Sequence, residues 1–235
     1  NFAPRFGFAY QIQPNLVARG AYGVFFQKVS QQESISLSIN PPFIRTGNVV
    51  LGVNEADRRS FPIDDLTPVV NFVAPGSRPA LTAVDVDMND GYVQQWNFYL
   101  ERTLTQNLVV KAGYVGTKST GLAIYREGNA PPPGPGGVQA RRPFQNISSM
   151  RVAQSEGLAT YHGLETSVQH RFHSGLSIQG NYTWSRTIDN RSVIDLRNYA
   201  LSKGLSDFHI AHRFLAAGVW EIPFGRGRRF GSGIS

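Results

Sequence analysis

From Arg5 to Gln13 the chain alternates, with Phe6, Phe8, Tyr10 and Ile12 in one phase and Arg5, Gly7, Ala9 and Gln11 in the other. This period of two predicts a β-strand with one apolar face. Gln13-Pro14-Asn15 is a turn signal. A second strand follows over 16–26, with Leu16, Ala18, Tyr22, Val24 and Phe26 on one side and Arg19 and Gly23 on the other. So short a connection predicts an antiparallel hairpin. The unit recurs twice. In the second, strands over 92–101 and 108–116 flank Thr105-Gln106-Asn107, with Trp96, Phe98 and Leu100 opposing Gln95, Asn97, Tyr99 and Glu101. Leu108, Val110, Ala112 and Tyr114 likewise oppose Lys111 and Gly113. In the third, strands over 161–172 and 176–185 flank His173-Ser174-Gly175, and a seventh strand is predicted over 212–222.

The connections alternate as well. Turns near Pro14, Gln106 and Ser174 take a few residues, whereas those over about 27–91, 117–160 and 186–209 are long. A soluble sandwich keeps most loops short at both ends. Short turns at one rim and long loops at the other are the pattern of an outer-membrane barrel. Strands of about 9–11 residues suit a tilted crossing of the hydrocarbon layer. The fold expected is therefore all-β: an antiparallel, up-and-down transmembrane β-barrel segment of about seven strands, an incomplete barrel, with residues 1–235 forming part of one barrel domain. Its lipid-facing candidates are Phe6, Phe8, Tyr10, Trp96, Phe98, Leu100, Leu164, Val168, Ile178, Tyr182, Trp184, Phe214 and Trp220. Its lumen-facing candidates are Gln95, Asn97, Glu101, Lys111, Glu165, Gln169 and Arg171. The competing expectation is a secreted β-sandwich binding module, whose apolar face is an ordinary core and whose long loops recognise glycan or protein, through Trp96 or Trp184 for instance.

Composition changes this picture little. Only 17% of the 235 residues are charged, against about 25% in an average soluble domain. A mean hydropathy of −0.24 is compatible with barrel strands, which alternate and average out. No run of 18 apolar residues occurs, which excludes a membrane-spanning helix. The net charge of +7 is read as scattered loop cations rather than a nucleic-acid stripe; the one dense basic run is Arg226, Arg228 and Arg229. Cysteine is absent, which removes disulfides, thiolate-bound metals and thiol nucleophiles.

Candidate chemistry is sparse. No nucleophile elbow, phosphate loop or zinc-binding His pair is present, so no catalytic residues, metal ligands or cofactor are assigned. His209 and His212, three apart, point to opposite faces of a regular strand and cannot share an ion there. Asp64 and Asp65 are adjacent and splay apart on extended chain. The run Asp85-Val86-Asp87-Met88-Asn89-Asp90-Gly91 offers hard oxygen ligands at alternate positions. It is no EF-hand, which needs Gly at the sixth place and Glu at the twelfth, where Asp90 and Trp96 stand. Pro131 to Gly137 is a stiff-then-flexible stretch within a long loop.

Several stretches resemble TonB-dependent outer-membrane transporters of the Oar-like kind. They are Pro4 to Tyr10, Arg19 to Phe26, Gln94 to Phe98, Gly113 to Lys118, Asn181 to Arg186 and His212-Arg213-Phe214, with Pro223 to Gly227. The resemblance implies a large closed barrel in the Gram-negative outer membrane, with outer-membrane lipid around it, a plug domain inside, TonB as the energy-coupling partner and a ligand to import. Nucleic acid is not an implied partner. No plug, TonB-box segment or aromatic-terminated last strand is visible, and seven strands do not complete a barrel of an even number. The chain, which opens on Asn1 with no charged-then-apolar leader, is therefore expected to be a barrel fragment.

Overall fold

In the computed structural model, the described residues are 2–28, 37–41, 78–173, 175–192, 199–224 and 230. The adjacent carboxylates Asp64 and Asp65, the basic run Arg226, Arg228 and Arg229, and Gly225 to Gly227 lie outside them. Among the described residues there are nine strands: β1 (Arg5–Gln13), β2 (Leu16–Gln27), β3 (Ala80–Val84), β4 (Gly91–Thr105), β5 (Leu108–Glu127), β6 (Ser149–His173), β7 (Leu176–Asp189), β8 (Gly204–Leu205) and β9 (His212–Trp220). Two short 3-10 turns cover Gln139–Arg141 and Tyr199–Ser202. The chain divides into two compact units, one of residues 1–28, 90–122 and 156–235, the other of residues 29–89 and 123–155.

The first unit is an antiparallel sheet of hairpins. β1 pairs with β2, β2 with β4, β4 with β5, β6 with β7, and β7 with both β8 and β9. The expected short turns close it at Pro14, at Gln106 and at Gly175, whose φ of +84° is a left-handed conformation suited to glycine. Register carries one phase across the strands. Phe6 faces Tyr22, which faces Trp96, which faces Gly116; Tyr10, Ala18, Leu100 and Ala112 follow the same line. Beyond β6, Leu164 faces Trp184, which faces His212, and Tyr182 faces Phe214. Aromatic rings lie flat on cross-strand glycines. A Cβ at Gly20 would strike the Phe8 ring, at Gly116 the Trp96 indole, and at Gly113 the Tyr99 ring. Each pair is directly opposed in register, the arrangement that pins strand alignment when an aromatic covers a glycine.

The described residues form no apolar core of ordinary kind. Among the described residues, the buried hydrophobic side chains are Ala18, Ile147 and Ala153. A sandwich stacks its apolar faces against one another over a filled interior, which would bury far more apolar side chains than these three.

The second unit corrects the expected extent of the long loops. The stretch 117–160 is largely strand: β5 runs on to Glu127 and β6 begins at Ser149, leaving 128–148 as the connection. The stretch 27–91 contains β3, which pairs in parallel with β6, Ala80 opposite Ser149 and Val84 opposite Ala153. The sheet is thus not purely antiparallel. In the first unit, β8 sits within 186–209 and pairs with the end of β7. Both interruptions are held by asparagines that imitate a strand edge. The Asn40 amide donates to the Thr82 carbonyl at 2.7 Å and accepts from its N–H at 2.8 Å. Asn129, fully buried, donates to the carbonyls of Phe144 (3.0 Å) and Ile147 (3.2 Å) and accepts from the Phe144 N–H (2.9 Å). Glu127 accepts from the N–H groups of Asn129 and Met150, each at 2.8 Å. Arg142 donates to the Asn129 carbonyl at 2.6 Å, so the proline-rich connection is anchored at both ends. The connection carries no repeat of its own; its fully buried Asn129 finds partners, as burial requires, whereas the buried Nε atoms of Arg141 and Arg142 have none.

Candidate functional site

The two phases of the first unit form two chemically distinct faces. On one lie the apolar candidates: Phe6, Phe8, Tyr10, Trp96, Phe98 and Leu100, tied by register through β1, β2 and β4. Leu164, Val168, Ile178, Tyr182, Trp184, Phe214 and Trp220 share one phase of β6, β7 and β9. Contacts between β5 and β6 join the sets. The Tyr114 hydroxyl, in the phase of Phe98, lies 2.6 Å from His162 Nδ1, and the Trp96 and His162 rings meet edge-on at 6.3 Å. All of these candidates are exposed save Trp96, which is half-buried. Ring-to-ring contacts repeat across this face: Phe6 with Tyr22 at 5.4 Å, Tyr114 with His162 at 6.1 Å, Tyr182 with His212 at 6.2 Å. The Tyr182 hydroxyl meets His212 Nδ1 at 2.8 Å.

The other face carries the polar candidates, in two groups. Glu101 and Lys111 are directly opposed in register. Arg19 reaches Glu101 at 3.9 Å, the Lys111 ammonium stands 4.7 Å over the Tyr99 ring, and the Tyr99 hydroxyl donates to Glu165 at 2.6 Å. Four strands thus contribute to one polar network. Gln95 and Asn97 lie apart from it, lining a cavity of about 430 Å³ with Arg5, whose guanidinium sits 4.4 Å over the Phe25 ring. Gln169 faces Gln179 on β7, and Arg171 donates its backbone N–H to the Asn107 carbonyl beside the short turns. These two are not brought to the network. Arg19 and Tyr99 complete it; the alternation places both in the polar phase, but neither is among the lumen-facing candidates. On β9 the polar phase itself fails: Leu215, Ala217 and Val219 stand opposite Asn181, Gln179 and Ser177.

The acidic run offers no converging cation site. Among the described residues no group of three or more His, Asp or Glu side chains comes together. Gln154 donates to one Asp85 oxygen at 2.8 Å and the Asp87 N–H to the other at 3.0 Å, and these bonds hold the Asp85 carboxyl below its usual range. His209 Nδ1 accepts from the Thr187 N–H at 3.3 Å and His212 meets Tyr182, so the two imidazoles have separate partners.

Against known proteins, the model of the family described as "Outer membrane beta barrel domain" matches residues 1–235. Among solved structures, the fold resembles the outer membrane transporter YddB from Escherichia coli, with 12% identity, a TM-score of 0.51 and 81% of this chain covered. It also resembles a chain of the FpvAI–pyocin S2 complex, with 11% identity, a TM-score of 0.50 and 94% covered. The chain spans 20% and 21% of those two structures' own lengths. No curated protein matches the sequence.

Proposed function

The chain belongs to the outer membrane beta barrel domain family and is an outer-membrane protein, and from that premise we propose that it is a wall segment of a TonB-dependent transporter that imports a ligand. Residues 1–235 are read as part of one barrel domain. The observation that carries this reading is the exposure of the aromatic face. Phe6, Phe8, Tyr10, Ile178, Trp184 and Phe214 are all exposed, while among the described residues three small or aliphatic side chains make up the buried apolar set. In water such a face is an aggregation hazard; against acyl chains it is ordinary barrel exterior. A secreted β-sandwich module is not favoured, because it would bury that face.

The apolar candidates then meet lipid and the polar candidates, from Gln95 to Arg171, face the lumen. In this reading Arg19, Glu101, Lys111, Tyr99 and Glu165 form a charged band inside the wall, where water and a plug reach them. The wall's role is passive: it supplies burial on one side and a hydrated path on the other, with no bond-making chemistry of its own. The sequence resemblance to Oar-like transporters supports TonB coupling, a plug and a ligand as partners of the whole protein.

Binding of the full-length protein to the purified periplasmic domain of TonB tests the coupling. Saturable binding is expected. No binding, with the protein correctly assembled in the outer membrane, contradicts it.

A further inference from the structure

We propose that the apolar face of the first unit carries a binding site for a phosphate-bearing lipid, of the lipid A class, near the end of β7 and beside the middle of β6. The proposal rests on the reading that this face meets lipid. The site is a cavity of about 460 Å³, walled by Leu164, Trp184 and Leu205 and lined at one end by His162, Arg186 and His209. Its volume lies within the range of small-molecule pockets, about 300–1,000 Å³. Arg186 is directly opposed to His162 in register, one step beyond the Leu164–Trp184 pair. On β7 the same phase reads Leu176, Ile178, Gly180, Tyr182, Trp184 and then Arg186. The fixed cation of that phase follows this apolar run and stands one step before Ile188, near the end of β7 at Asp189.

The polar end is a donor set. Arg186 is exposed, and among the described residues no carboxylate pairs with it. Because the Thr187 N–H donates to His209 Nδ1, the ring hydrogen of His209 is on Nε2, which remains a donor. The Tyr114 hydroxyl occupies His162 Nδ1, leaving Nε2 of that ring as its second polar atom. One guanidinium and two imidazoles suit an acceptor-rich anion, and guanidinium pairs with phosphate bidentately. The apolar walls next to them suit a methylene chain. A ligand with phosphate at one end and acyl chain at the other satisfies both.

The full-length protein in detergent is titrated with bisphosphorylated lipid A, with its dephosphorylated counterpart and with phosphatidylglycerol, and adducts are read by native mass spectrometry. Lipid A is expected to bind in preference to both others. Arg186→Gln should weaken that binding about ten-fold, the scale of one lost charge-assisted hydrogen bond, and Arg186→Lys should retain part of it. Equal binding by Arg186→Gln, or equal binding of dephosphorylated lipid, overturns the proposal. So does a dimer that Arg186→Gln dissociates, since the occupant is then a second copy. The tryptophan fluorescence that Trp184→Phe removes, followed in brominated acyl chains, separates failure of the site from failure of the facing. Quenching of Trp184 without Arg186-dependent binding defeats the lipid site alone; absence of quenching defeats the facing reading beneath it.

Discussion

The two faces of the same sheet differ in how they satisfy their side chains. On the polar face, partners are specific and directional: Tyr99 to Glu165, Arg19 to Glu101, Lys111 over Tyr99. On the apolar face, rings meet rings, two tyrosines also bond a neighbouring histidine, and side chains such as Phe6, Phe214 and Trp184 leave more than half of their surface exposed. A protein interior would show the reverse, with apolar groups enclosed and polar groups solvated. The difference teaches that exposure alone does not tell a solvent-facing surface from a lipid-facing one. The chemistry of the exposed set does.

The largest test of that contrast is a charge placed on each face at neighbouring positions. Ile178→Arg should cost about 2–4 kcal/mol, the penalty for a cation near the midplane of a barrel's lipid face, and should lower folding yield in lipid vesicles. Gln179→Arg, one residue on and in the opposite phase, should fold as the parent does. Next, Gly113→Ala should cost about 1–3 kcal/mol by overpacking, because its Cβ would strike the Tyr99 ring and lie 2.6 Å from the Phe98 carbonyl oxygen. Gly180→Ala meets nothing within 4 Å and should stay within about 0.5 kcal/mol. Urea unfolding in micelles measures both.

Two smaller effects belong to the second unit. Asn129→Ala removes the side chain that holds Phe144 and Ile147. It should loosen the 128–148 connection by about 1–3 kcal/mol, the cost of buried backbone groups left unpaired. Protease cleavage within 128–148 should rise while the hairpins stay protected. Last, the depressed Asp85 carboxyl predicts a pH effect of known sign. A group whose folded value is lowered contributes above its ordinary value, 3.8 here, and loses that contribution as pH falls through the folded value. Exchange of the Asp87 amide, corrected for intrinsic rate, should be flat from neutral pH to about pH 4 and rise only below it.

The hairpins were legible because a strand that separates two environments must alternate. Phe6, Phe8 and Tyr10 announce β1 to the residue, and Trp96, Phe98 and Leu100 announce β4, whose strand runs on past 101 to Thr105. The ends of β5 and the start of β6 were not legible. Thr117, Lys118, Ser119 and Thr120 stand in strand with polar residues in both phases, which is what a strand wetted on both sides looks like. β3 escaped for another reason: its parallel pairing with β6 is a long-range match that no local pattern encodes. The polar network was half legible. Glu101, Lys111 and Glu165 stood out as charges on alternating strands, but that Tyr99 would bridge the last two depends on how β4, β5 and β6 align.

The most direct measurement is a nitroxide scan of β7 from Ile178 to Thr183, with the full-length protein in lipid vesicles. Oxygen, which concentrates in acyl chains, should collide most with labels at 178, 180 and 182, and a water-soluble nickel chelate most with labels at 179, 181 and 183. A profile with no period of two, or with the phases exchanged, contradicts the assignment of the aromatic face to lipid.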